Sequence, residues 1–87
     1  MKFLYFTAPW CAPCKTFGPV WEEVSAQYGK HILFEKYDID TEEGRKLAAM
    51  YSVRTVPAIF FEKPGEPTTP VERGAFRTFV KDISTKL

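Results

Sequence analysis

The stretch Thr7-Ala8-Pro9-Trp10-Cys11-Ala12-Pro13-Cys14-Lys15 holds both cysteines of the chain, with two residues between them. Such a pair can be a structural staple, part of a metal site, or two working thiols. A disulfide stabilises mainly by restricting the unfolded chain, so bridging so short a loop gains little. Structural zinc takes about four nitrogen or sulfur ligands. Beyond the cysteines only His31 is left to serve, although a site shared between two chains would escape that count. A Cys-x-x-Cys beside a strand–helix junction fits a redox pair best.

The flanks supply that junction. Phe3-Leu4-Tyr5-Phe6 has strand character. Phe17, Val20, Trp21, Val24 and Tyr28 then fall at helical steps. Cys11 is expected in the first helical turn, where free N–H groups and the macrodipole favour a thiolate. Cys14 follows on the same helical face as a more shielded partner. Pro13 suits a first turn, where no N–H is needed, and Lys15 adds a positive charge. Trp10 is either packing or an apolar rim for a partner peptide. Pro19 is expected to kink the helix after Gly18.

Composition excludes several classes of function. The 87 residues allow one small core, so 1–87 reads as one domain. With 45% hydrophobic and 16% aromatic residues, the chain has the makings of a packed globule. Twelve basic residues against eleven acidic ones point to neither nucleic acid nor an anionic membrane. No apolar run approaches the roughly 20 residues of a membrane span. The opening MKFLYFTAPWC imitates a signal peptide, but its apolar run falls short of the roughly 7–15 residues required. A cytoplasmic, monomeric protein is expected.

Further along, Ile32 to Tyr37 reads as a second strand ending at Asp38-Ile39-Asp40. Thr41 caps a helix to about Tyr51, with Leu47, Ala48 and Tyr51 inward and Gly44 weakening its start. Thr55 to Phe61 is a third strand entered through Pro57, and Lys63-Pro64-Gly65-Glu66-Pro67 turns into a fourth from Thr69 to Glu72. Gly74 breaks the chain, and Phe76, Phe79, Val80, Ile83 and Leu87 mark a closing helix. The order is β-α-β-α-β-β-α, an α/β fold. His31, Glu22-Glu23 and Thr41 to Lys46 read as solvated surface.

On the residues Ala8 to Lys15, the late Val56-Pro57, Gly74-Ala75, and Lys36 to Asp40, the chain resembles the thioredoxin superfamily, and within it the thioredoxins. The resemblance covers nearly the whole chain. It implies a thioredoxin-like fold, a mixed four-stranded sheet flanked by three helices. It also implies that Cys11 attacks a substrate disulfide, that Cys14 resolves the mixed disulfide, and that Pro57 is cis. Val56 would hydrogen-bond an extended substrate, with Trp10, Ala12, Pro13, Gly74 and Ala75 forming the docking surface. Lys15, Lys36 and Tyr5 would support the pair. No metal or cofactor is implied: electrons would come from NADPH through thioredoxin reductase. Disulfide-containing proteins, ribonucleotide reductase among them, would be the substrates.

Three departures stand out. The chain starts at the first central strand, without the amino-terminal strand and helix of full-length thioredoxins. Tyr5 replaces the buried aspartate beneath the resolving cysteine, and a phenol is a hydrogen-bond donor, not a ready base. Arg73 stands where thioredoxins often carry an apolar residue, which bears on partner choice. Two alternatives accompany this reading. A glutaredoxin-like donor to ribonucleotide reductase suits the short length, but Ala8 replaces a glutathione-contacting lysine and Arg73-Gly74-Ala75-Phe76 lacks a carboxylate. A non-catalytic binding module would leave the thiols idle.

Overall fold

Alternation along β1 (Lys2–Thr7) sends Phe3, Tyr5 and Thr7 to one face of a sheet and Leu4 and Phe6 to the other. The computed structural model, which describes residues 1–87, places a helical layer against each face. The elements that follow are α1 (Ala12–Tyr28), β2 (Leu33–Asp38), α2 (Glu42–Met50), β3 (Ala58–Glu62) and β4 (Thr69–Val71). A short 3₁₀ turn (Arg73–Ala75) leads into α3 (Phe76–Ser84). The four-stranded sheet runs β2-β1-β3-β4, with β1 parallel to β2 and the other two pairs antiparallel. The expected element order and mixed sheet are observed.

Phe3 and Tyr5 pack against Phe17, Trp21 and Val24 of α1 and Phe76 and Val80 of α3. Phe3 is fully buried, its ring centroid 4.9 Å from that of Phe61 and 5.6 Å from that of Phe76. Such aromatic pairs add about 0.5–1.5 kcal/mol each beyond the area they bury. Leu4 and Phe6 meet Ala48, Leu47 and Tyr51 on the opposite face, as the helical spacing of α2 requires. Thr41 caps α2: its Oγ1 accepts the Gly44 N–H at 2.9 Å.

One helix, α1, continues through Pro19, whose ring removes one N–H from its ladder. A side chain before proline normally clashes with the ring in helical geometry, and Gly18 has no Cβ to do so. Leu87 does not extend the last apolar stripe. The helix ends at Ser84, where the Ser84 and Thr85 hydroxyls donate to the Lys81 and Asp82 carbonyls, and Leu87 is exposed.

The α2 face becomes polar toward the start of β1. Lys2 pairs with Glu35 at 3.2 Å and lies 3.8 Å from Glu62, and the Tyr51 hydroxyl donates to Glu62. Burial, reinforced by the Glu62 carboxylate, pushes the Tyr51 phenol up to about 12. The native state therefore keeps a proton that the unfolded chain gives up near 10. This contribution to stability is complete below that unfolded value and is lost as pH rises to about 12. The melting temperature of the disulfide form should fall across this interval, and that of Tyr51→Phe should fall less. Equal pH slopes in the two proteins would rule the linkage out.

Candidate functional site

The site lies beyond the carboxyl ends of the parallel strands β1 and β2, where ligands bind in open α/β sheets. At the end of β1 the chain turns through Ala8 to Trp10, and the Cys11 N–H closes the turn onto the Ala8 carbonyl at 3.1 Å. Cys11 is then the N-cap of α1, with Pro13 within the first turn. The cap is made by sulfur: the Cys14 N–H donates to Cys11 Sγ at 3.2 Å. The two cysteines form a disulfide, with Cα atoms 5.2 Å apart.

The expected contrast between an open Cys11 and a shielded Cys14 is absent from this oxidised form. The residues are 3% and 4% exposed. What separates them is hydrogen bonding. Cys11 Sγ accepts the Cys14 amide, while no donor meets Cys14 Sγ. Ala8 joins the two cysteines in a small apolar cluster, with Ile39 and Val56 packed against it.

Tyr5 is 1% exposed and lies beneath the pair, its ring against Phe17 and Trp21. Its hydroxyl sits 3.3 Å from the Cys14 carbonyl and 3.2 Å from Thr7 Oγ1. The carbonyl can only accept and the phenol has one proton, so the Thr7 hydroxyl is the group free to donate in return. The phenol thus meets the main chain of Cys14, with no bond to either sulfur.

The peptide bond between Val56 and Pro57 is cis, as the resemblance implied. Pro13, Val56, Pro57, Arg73 and Gly74 line one groove of about 560 Å³. No backbone hydrogen bond outside the regular elements uses Thr55 or Val56, which leaves that main chain open to an incoming strand. A second groove of about 340 Å³ runs between Arg73-Gly74 and the first turns of α1, at Pro13, Thr16, Phe17 and Val20.

Other expected residues stand apart from these grooves. Trp10 is 65% exposed, and its Nε1–H donates to Asp40 Oδ1 at 3.2 Å. Ala12 and Lys15 are exposed on the first turn of α1, and Ala75 is exposed on the 3₁₀ turn but lines neither groove. Lys36 is not brought to the cysteines at all. Its Nζ pairs with Glu22 at 3.2 Å, about 12 Å along α1 from Cys14 at 1.5 Å per residue. Ile39 and Asp40 are site neighbours that the sequence reading did not single out. They reach the site because the Ile39 N–H continues the ladder onto the Thr7 carbonyl at 2.9 Å. No group of histidine, cysteine and carboxylate side chains is placed to hold a metal. No helix is long and apolar enough to cross a membrane.

A mixed sheet presenting a cysteine pair at a helix start, opposite a cis-proline, defines a dithiol–disulfide class of fold. The sequence profile of the Thioredoxin family matches residues 2–84, and the chain belongs to that family. It is 38% identical over 71 residues to a thioredoxin of Staphylococcus epidermidis, covering 82% of this chain and 66% of that one. It is 39% identical over 61 residues to a chloroplastic M-type thioredoxin of Spinacia oleracea, covering 70% and 33%. The crystal structure of oxidised thioredoxin O2 from Arabidopsis thaliana superposes with a TM-score of 0.76 at 28% identity, over 94% of this chain and 73% of that one. Among the curated relatives it matches, the chain spans from 20% of the length of a protein disulfide-isomerase of Neurospora crassa to 66% of the staphylococcal thioredoxin.

Proposed function

We propose that this chain, acting as one domain over residues 1–87, is a thiol–disulfide oxidoreductase that reduces protein disulfides through Cys11 and Cys14. The observation that carries this reading is the Cys14 amide aimed at Cys11 Sγ, at the start of α1 and beside the open Thr55-Val56 main chain. That amide and the helix dipole stabilise negative charge on Cys11 in the reduced protein. An extended substrate segment would lie along Val56 and Pro57, across Pro13 and Gly74. Cys11 thiolate attacks one sulfur of the substrate disulfide, and the other leaves as a thiolate that takes up a proton. Cys14, deprotonated in turn, attacks Cys11 Sγ and expels the second substrate thiol. Two electrons pass to the substrate, and the protein is left in the disulfide form.

Regeneration needs an external thiol reductant that supplies two electrons, one dithiol or two monothiols. From the resemblance to thioredoxins we infer NADPH with thioredoxin reductase as the source, cytoplasmic action as a monomer, and ribonucleotide reductase among the substrates, although the spinach relative is chloroplastic. The test is insulin-disulfide reduction driven in turn by dithiothreitol, by NADPH with thioredoxin reductase, and by glutathione. Turnover with the first two supports the reading. Turnover with glutathione alone would move the chain to the glutaredoxin-like alternative. No turnover with any reductant would leave a binding module.

The position of Tyr5 yields a further expectation. Its hydroxyl holds the Cys14 main chain and does not reach sulfur, so the proton of Cys14 goes to water or to the departing thiolate. Tyr5→Phe should cost about 1 kcal/mol of stability for the lost hydrogen bond and leave insulin turnover within a few-fold. A loss of about a hundredfold, the lower end for general acid–base catalysis, in a folded variant would make the phenol a proton-transfer group.

A further inference from the structure

Arg73 is the one charged residue that lines both grooves beside the cysteine pair. It is exposed, on the 3₁₀ turn between β4 and α3, and forms no ion pair within the chain. The two grooves differ in charge. On the β3–β4 side Arg73 is accompanied by Glu72, so the charges there balance. On the α1 side it is alone, among Pro13, Thr16, Phe17, Val20 and Gly74.

The surroundings of that second groove are basic as well. The first turn of α1 carries no acidic residue to offset its dipole and bears Lys15. The nearest carboxylates along α1 are already engaged, Glu22 by Lys36 at 3.2 Å and Glu23 by Arg77 at 3.1 Å. An extended segment crossing from Val56 to Gly74 would therefore bring a side chain flanking its cysteine against an unpaired guanidinium. A neutral or basic side chain leaves that cation unanswered or repels it. An acidic one completes it.

Resting on the reductase reading above, we infer that Arg73 is a specificity-determining residue, favouring disulfide substrates that carry an acidic side chain within one or two residues of the attacked cysteine. Charge at such a rim acts mainly on encounter and register, so it should appear in kcat/KM and weaken with salt. The test uses three disulfide-linked peptides, identical except for Glu, Gln or Lys beside one cysteine, reduced by the protein with dithiothreitol as electron source.

Wild type should prefer Glu over Lys by about five- to tenfold at low ionic strength, the scale of one exposed ion pair together with the opposing repulsion. Salt should shrink the ratio. Arg73→Lys should keep most of it, Arg73→Ala should bring it near one, and Arg73→Glu should invert it. A wild-type ratio near one, with the Gln peptide turned over and that turnover lost in Cys11→Ser, would overturn the inference and leave the reductase reading standing. The same follows if Arg73→Glu keeps the preference for Glu. Failure of the wild type to reduce any peptide would overturn both.

Discussion

The Cys14→Ser protein should accumulate a covalent mixed disulfide with its substrate, bound through Cys11, while Cys11→Ser should lose turnover by about a thousandfold or more, as expected when a nucleophile is removed. Burial does not decide which sulfur attacks, since both residues are almost fully covered in the disulfide form. The decision rests on one hydrogen bond. Cys11 Sγ receives the Cys14 amide at the head of α1, and Cys14 Sγ receives none. A donor aimed at one sulfur lowers the cost of negative charge there, and attack requires the thiolate. Once Cys11 is joined to substrate, Cys14 is the only thiol left in the chain to release it. Serine at that position stops the second step and preserves the product of the first. Peptide mapping of the trapped species by mass spectrometry locates the bond. An adduct found only on Cys14, in the Cys11→Ser protein, would reverse the assignment.

The parts of this site legible in the sequence are those written in local patterns. The alternation of Phe3, Tyr5 and Thr7 foretells which face meets α1, and Thr41 announces the cap of α2. Pro13 fits a helix start because that start needs no N–H from it. The parts that were not legible depend on neighbours distant in sequence. Nothing local to Lys36 shows that its ammonium ends on Glu22 and not near the cysteines. Asp40 meets Trp10 across 30 positions, an encounter fixed by how β2 leaves the sheet. Gly74 marks a break and Arg73 a departure that bears on partner choice, but nothing local shows the 3₁₀ turn at Arg73–Ala75 that sets this charge between two grooves. The family resemblance supplied the cis bond at Pro57, which the base rate for X–Pro bonds would have argued against.

Gly44 shows the same division between local pattern and tertiary demand, and its replacement should have a large effect on stability. By helix propensity alone, Gly44→Ala should stabilise α2 by about 1 kcal/mol. In the fold, a Cβ at this position would lie 1.8 Å from the Asp38 carbonyl oxygen and 2.9 Å from Thr41 Oγ1. That carbonyl has no freedom to retreat without cost. It accepts the Thr41 N–H at 3.0 Å and the Thr41 hydroxyl at 2.7 Å, and the same Thr41 oxygen caps α2 through the Gly44 N–H. Relieving the clash must open the cap or push the end of β2 away. Overpacking of this kind costs about 1–3 kcal/mol or more, and losing the cap adds about 1 kcal/mol. The propensity gain is outweighed, leaving a net loss of about 2 kcal/mol and a melting temperature lower by roughly 8–16 °C for a chain of this size. Glu43→Ala, on the same turn and exposed, should change stability by no more than about 0.5 kcal/mol. The disturbance should also reach the site, because Asp40, whose N–H donates to Asp38 Oδ1 at 2.8 Å, holds Trp10 through its own carboxylate. Thermal unfolding of the two variants side by side provides the test. If Gly44→Ala melts at or above the wild-type temperature, then propensity governs this turn and the close approach of Asp38 does not.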